Sequence, residues 1–355
     1  MFIKIVDLRA DIQTLRGVSV LAVVVFHLTP VRFPSGYLGV DVFFVISGYL
    51  ITPKIIEIIS KKNQRNIRMN LFSFYSKRFH RLAPALFWML TISYPVIILL
   101  APTNDLPIFF KQSIATWLGL GNIGAALNTP DYFNPNPNAL LHTWSLGVEQ
   151  QIYFALPIVL WFFTLKKTLK IISVFFYLFL ISFVTYSILQ YFDGSLEIFN
   201  VSISNMTYFS TITRAWQFLF GGLIWFCSKN LRLIRLRESN TSYLILFLLV
   251  ILLFSNKTFD LFTNSVLATL LTGMFLLITK SKSYNSIIFK FIIWLGDRSY
   301  SIYLVHLPII YIARYAPVLG GNESRSLHLI FSLILILLLS EILYKKVEIK
   351  YWKQT

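Results

Sequence analysis

The chain has 355 residues, of which 56% are hydrophobic, 17% aromatic and 13% charged, and its mean hydropathy is +0.67. Soluble domains are about 45–50% apolar and about 25% charged, so this composition excludes an ordinary soluble globular protein and points to an integral membrane protein. The formal charge of +17 raises nucleic acid as a partner, but the basic residues fall between apolar spans and not in one aromatic-interleaved patch, so no nucleic-acid role is expected.

The first apolar run predicts a helix over 15–30. Asp7 and Asp11 precede it without a small-residue cleavage site, so it reads as a retained first span and not a signal peptide. Further near-spanning helices are predicted at 38–59, 83–101, 144–165, 170–190, 210–228, 243–255, 261–279, 292–316 and 327–344. The strict alternation of a barrel is absent. The expected fold is therefore all-α, a polytopic transmembrane bundle of about ten helices forming one membrane domain over 1–355, with no hydrophilic domain after the last span. The connection 102–143, with its "NTPDYFNPNPNALLH", is rich in residues that supply fixed or positive φ to turns. An extra or re-entrant helix fits at 113–127. The connections 60–82, 166–170, 229–237, 280–290 and 345–355 hold 21 Lys and Arg, against Arg32, Lys111, Lys257 and Arg325 in the opposing set. That asymmetry predicts both termini in the cytoplasm. The single cysteine, Cys227, cannot form an internal disulfide.

Charge inside a bilayer costs about 2.5–3.5 kcal/mol per residue on the lenient insertion scale, so each ionisable residue within a span is a functional candidate. Arg16 opens the first helix at its cytoplasmic end, and His27 follows eleven residues later, roughly 16 Å along a helix. Asp41 begins the second helix near the outer surface, and Glu149 and His306 reach a similar level in "HTWSLGVEQQIYFALP" and "GDRSYSIYLVHLP". Arg78 and Arg81, in "FYSKRFHRLAPAL", join Arg16 on the inner side together with Lys77 and His80. The pattern predicts an inner cationic cluster and an outer acid/base cluster of His27, Asp41, Glu149 and His306, with His142 and Arg214 beside it.

Guanidinium groups suit phosphate through paired, charge-assisted hydrogen bonds. A histidine with an ordinary pKa of about 6.5, its tautomer held by a carboxylate, suits general-base chemistry. A donor with phosphates at one end and a thioester on a long arm bridges two such levels. Simpler readings stand beside these. Basic residues at a cytoplasmic helix end are what orientation demands. A buried histidine can knit helices together, and Asp41 can serve a helix N-terminus. The glycines at 36, 39 and 48 fit close helix packing or a tight entry turn.

"RGVSVLAVVVFH", "GYLGVDVFFVISGYLI", "FYSKRFHRLAPAL", "LLHTWSLGVEQQIYFALPI", "TRAWQFLFGGL" and "LGDRSYSIYLVHLP" occur in this order along nearly the whole chain. Together they resemble the motifs of the acyltransferase 3 family of membrane acyltransferases. The resemblance implies an acyl-coenzyme A donor on the cytoplasmic side and transfer to a hydroxyl of an envelope glycan at the outer face of a bacterial cytoplasmic membrane. It implies an essential histidine at His27, functional arginines at Arg16, Arg78 and Arg81, and Glu149 in the fourth-helix motif. "HTWSLGVEQQ" and the long loop look most like members that O-acetylate lipopolysaccharide O-antigen. Gln217 departs from an acidic residue common in relatives, and "VEIK" lacks a proline expected after Glu348.

The expected mechanism has Arg16, Arg78 and Arg81 holding acetyl-coenzyme A, while His27, oriented by Glu149 or Asp41, deprotonates a sugar hydroxyl or carries the acetyl group itself. Trp144, Arg214, Ser301, Tyr303 and His306 are candidate substrate or oxyanion contacts. No metal is expected. The expected partners are membrane lipid and the glycan acceptor; either the membrane part acts alone, or a separate extracytoplasmic acyl-transfer protein or a further C-terminal part of a longer protein takes the acyl group onward. A proton-coupled transporter or flippase of a glycan precursor is the rival reading, with His27, Glu149 and His306 as its relay.

Overall fold

The computed structural model describes residues 9–59, 64–129, 132–134, 137–165, 170–192, 197–198, 201–230, 240–256, 259–279, 286–315 and 325–352. The protein is all-α apart from a two-residue antiparallel pair, Glu197–Ile198 with Val201–Ser202. Seven described segments are long and apolar enough to cross a membrane: Ala10–Leu28, Pro34–Ile59, Met69–Leu100, Thr143–Phe163, Ile171–Leu189, Leu261–Ile278 and Leu327–Tyr351. It is a multi-pass membrane protein. The chain divides into two compact units, one of Met1–Lys54, Ile172–Leu180 and Trp216–Ser299, the other of Ile55–Ile171, Ile181–Ala215 and Tyr300–Thr355.

The first unit is built around α1 (Ala10–Leu28), which is mostly enclosed by protein. It lies backbone to backbone against α12 (Ile287–Asp297) through two glycines. A Cβ on Gly17 would run into the Ile292 carbonyl, and one on Gly296 into the Gln13 carbonyl. Small residues at such crossings let membrane helices approach closely and gain dispersion contacts that lipid cannot supply. A 3₁₀ turn, Pro34–Leu38, then leads into α2 (Gly39–Ile59). Gly36 and Gly39 sit against the α1 backbone at Ala22 and Ser19, and Gly48 of α2 meets the Phe218 backbone, so all three predicted packing glycines are contact points. Helices α10 (Asn240–Leu253) and α11 (Leu261–Ile278) complete this part.

At its N-terminal end, Arg9 bonds Asp11 at 2.6 Å, the Tyr49 hydroxyl at 2.8 Å and the Thr279 carbonyl at 3.3 Å. One guanidinium thus ties the starts of α1 and α11's last turn to α2. Burial alone would lower the Arg9 pKa, but Asp11 and Tyr49 outweigh it and hold the group above its ordinary value. Asp11 is fully buried, so the pair satisfies a carboxylate that would otherwise be stranded.

The second unit holds α3 (Gln64–Leu100), α4 (Leu106–Trp117), α5 (Gly121–Asn128) and α6 (Thr143–Leu165), then α8 (Ile203–Phe209), α13 (Ser299–Tyr315) from Tyr300 onward and α14 (Arg325–Leu343). A π-helical turn, Tyr344–Glu348, and the short α15 (Ile349–Trp352) follow. Helices α2, α7 (Ile171–Leu189) and α9 (Thr211–Asn230) also carry residues assigned to both units.

Four sequence expectations change. The described part of the basic connection 60–82 is helical: α3 runs 37 residues, because Ile67 and Phe74, two turns apart, are buried and hold a helical face despite the flanking charge. The predicted helix near 113–127 is two helices, divided at Gly119, whose φ of 73° favours glycine. The predicted helix 292–316 is interrupted at Arg298, where the amide closes a tight turn on Leu295 and the guanidinium covers the Trp294 ring at 4.2 Å. The 210–228 region is a helix but not one of the long apolar segments, since Thr211, Thr213, Arg214 and Gln217 interrupt its apolar run.

Candidate active site

In the first unit, His27 stands in the last turn of α1, and its Nδ1 lies 2.9 Å from the carbonyl of Val23 one turn earlier. A carbonyl only accepts, so Nδ1 carries the hydrogen. The neutral ring then holds its lone pair on Nε2. The spacing Val23, three residues, His27 therefore lets the helix's own backbone select the tautomer with the lone pair on Nε2 and orient the Nδ1 end of the ring. Phe26, buried beside it, packs its ring edge-on against Tyr37 with centroids 6.0 Å apart, fixing the end of the helix.

Asp41, in the first turn of α2, is 1% exposed and accepts a hydrogen bond from the Gln217 amide at 3.3 Å. Gln217 is the position where the resemblance led to an acidic residue. An amide donates to the carboxylate where a second carboxylate would repel it. Arg16 bonds the Gln13 side chain at 3.3 Å and lies within electrostatic range of Asp297. Arg16 is thus partly balanced within the first unit.

The second unit joins what the sequence reading separated. Arg78 lies over the rings of Phe74 and Tyr153 at 5.6 and 5.7 Å, and the charges of Arg81 and Glu149 both reach it. Glu149 is one turn before Tyr153 on α6, so both project from one face of that helix. Tyr300 donates to the Leu82 carbonyl at 2.8 Å and is within range of Glu149, Glu348, Arg81 and Tyr153. The expectation of an inner cationic cluster apart from an outer Glu149 is corrected here: Arg78 and Arg81 share their surroundings with that carboxylate. The reason is the length of α3, which carries both arginines inside a continuous helix and not in a loop at its end. Lys77 and His80 are exposed on the same helix.

Glu348 is 7% exposed and accepts from the Ser301 hydroxyl at 2.8 Å. A serine has one hydroxyl proton, so Ser301 as an oxyanion donor is replaced in this arrangement by Ser301 as a holder of Glu348. Tyr303 donates to the His142 carbonyl at 2.7 Å, and its oxygen is 2.7 Å from the Ser145 hydroxyl. His306 Nδ1 donates to the Tyr303 carbonyl at 2.6 Å and His142 Nε2 to the Leu304 carbonyl at 3.1 Å, with the two rings edge-on at 5.1 Å. Both histidines are buried. Arg214 is 1% exposed, donates to the Tyr208 carbonyl at 2.8 Å and is boxed by the rings of Tyr208 and Trp144 at 4.4 and 5.4 Å. Such a box offsets desolvation of the cation through the ring quadrupoles and makes Arg214 a brace of the aromatic core.

Residues 9–345 match the acyltransferase 3 family, described as an acyltransferase domain. The chain belongs to this family. The peptidoglycan O-acetyltransferase OatA of Listeria monocytogenes is 28% identical over 355 residues, covering 95% of this chain and 55% of that protein. The O-acetyltransferase OatA of Staphylococcus aureus is 27% identical over 352 residues, covering 94% of this chain and 55% of that protein. The chain spans about half the length of the curated relatives it matches. No solved structure matches it. Asp11, Tyr153 and Tyr300 are candidate site or support residues that sequence reasoning missed; Ser301 was among the candidates, but its bond to Glu348 was not foreseen. The four-residue step from Glu149 to Tyr153 is the one signal that was available.

Proposed function

We propose that this chain is a membrane O-acetyltransferase, taking the acetyl group of acetyl-coenzyme A on the cytoplasmic side and passing it to a hydroxyl of an envelope glycan at the outer face of the bacterial cytoplasmic membrane. The observation that carries the reading is the Nδ1 hydrogen bond of His27 to Val23 inside the family's first motif, which supports Nε2 as a general base. Nε2 takes the hydroxyl proton as the sugar oxygen attacks the thioester carbonyl. The tetrahedral intermediate collapses with loss of the thiolate, and the imidazolium returns the proton to it, so an oxygen ester and free coenzyme A result. Arg16, Arg78 and Arg81 supply positive charge for the donor phosphates. Glu149 lies within electrostatic reach of Arg78, and Glu149 and the Ser301-bonded Glu348 lie within reach of Tyr300.

The acceptor favoured by the relative named for peptidoglycan is a peptidoglycan sugar, ahead of the lipopolysaccharide O-antigen suggested by the loop and fourth-helix motif. A separate or appended extracytoplasmic acyl-transfer partner fits a chain that covers 55% of its relatives. Mass spectrometry of peptidoglycan and surface polysaccharide with and without the gene tests the reading. Loss of a base-labile acetyl group from one glycan, with export intact, is the expected result. Unchanged acetylation of every envelope glycan would overturn it, and loss of the glycan itself would favour the flippase.

A further inference from the structure

A cavity of about 230 Å³ lies in the second unit, where α4, α5 and the residues before α6 meet α3 and α13. It is smaller than the ~300–1,000 Å³ clefts that hold drug-sized ligands, and so offers room for one ring and not a chain. Its chemistry is mixed. Asp105, Asn128, Asn134 and Asn138 bring a carboxylate and three amides, and Phe109 and Tyr311 bring apolar ring surface.

Several of these groups are already held in place. Tyr311, 6% exposed, donates to Asp105 Oδ2 at 2.6 Å, which uses one of the two carboxylate oxygens. Asn138 Oδ1 accepts from the Leu140 amide at 2.8 Å, which leaves its NH₂ as donor. Asn128 donates to the Gly124 carbonyl at 2.7 Å, and its oxygen remains an acceptor. Sugar hydroxyls both donate and accept, and one face of a pyranose presents C–H groups. A site combining carboxylate and amide oxygens, amide donors and aromatic walls matches all three features, whereas a divalent cation would gain nothing from the rings. The cavity belongs to the 102–143 connection, which the charge asymmetry places on the outer side. Ala139 in its wall precedes His142 by three residues, and Tyr311 follows His306 by five, roughly 7–8 Å along α13.

We propose that the cavity lined by Asp105, Asn138 and Tyr311 binds one pyranose ring of the acceptor glycan. The proposal rests on the acetyl-transfer reading for its identification of the ligand as an acceptor. The test uses the full chain in detergent and equilibrium dialysis with two probes, the N-acetylglucosamine–N-acetylmuramic acid disaccharide and maltotriose. At least one probe binds the wild type at millimolar concentration, and the one that binds tells an amino-sugar acceptor from a neutral hexose. Asp105→Asn and Tyr311→Phe each weaken that binding about tenfold or more while coenzyme A affinity is unchanged. Tyr311→Phe keeps the ring, so the fold is retained if Asp105→Asn is not stable. Binding of neither probe, or equal binding by wild type and Tyr311→Phe, overturns the proposal. Transfer from acetyl-coenzyme A, assayed on the same preparation, is read independently: glycan binding without transfer sinks the acetyl-transfer reading and leaves the sugar site standing.

Discussion

The surroundings of His27 and those of Arg78 are built in opposite ways. His27 gains its tautomer from a single turn of α1, four residues of local sequence. Arg78 gains its surroundings from Phe74 and Arg81 on its own helix and from Glu149 and Tyr153 on α6, two helices far apart in the chain. A local device can be read from a short stretch of sequence, whereas an assembled charge cluster is visible only when helices are packed. The same contrast suggests where substitutions act: on chemistry alone at His27, and on binding together with packing at Arg78.

That difference can be broken most strongly at His27. His27→Ala removes the proposed base and is expected to lower acetyl transfer by about 100-fold or more, with the protein still in the membrane at wild-type level, as read from base-labile acetate and immunoblots. Arg78→Ala should act on the other side of the contrast, weakening coenzyme A binding about tenfold or more in purified protein, with a smaller effect on turnover at saturating donor. Unchanged affinity would remove the phosphate role. Packing gives a third measure: Gly296→Val forces a branched side chain onto the Gln13 carbonyl and should cost about 1–3 kcal/mol in thermal unfolding, more than Gly119→Ala costs if helix contact and not turn geometry dominates.

The smallest effect is expected at Asp260, which caps α11 by accepting from the Thr263 amide at 2.9 Å and hydroxyl at 2.6 Å. Those bonds hold its carboxyl below the ordinary value. The cap therefore stabilises above the ordinary carboxylate pKa and is lost as pH falls through the lowered one. Asp260→Ala should cost about 1 kcal/mol near neutrality, with the difference from wild type vanishing in acid.

Much of the fold was legible because lipid demands long apolar helices, and seven described segments obey that demand in plain hydropathy. The departures have physical causes. Basic residues made 64–82 read as a loop, although Ile67 and Phe74 kept it helical. A glycine at positive φ and a tight turn at Arg298 divide helices whose hydropathy is continuous. In the candidate site, His27 and the arginines stood out by type and motif. Glu149's place beside Arg78, and the commitment of Ser301 to Glu348, depend on which helix faces meet, and no residue spacing within one segment encodes that.

The central claim is acetyl transfer through His27. Membranes carrying the wild-type chain or His27→Ala, incubated with radiolabelled acetyl-coenzyme A and envelope glycan, test it most directly. Base-labile label in the glycan with wild type and none with His27→Ala is the predicted result; equal labelling of the glycan by both would contradict it.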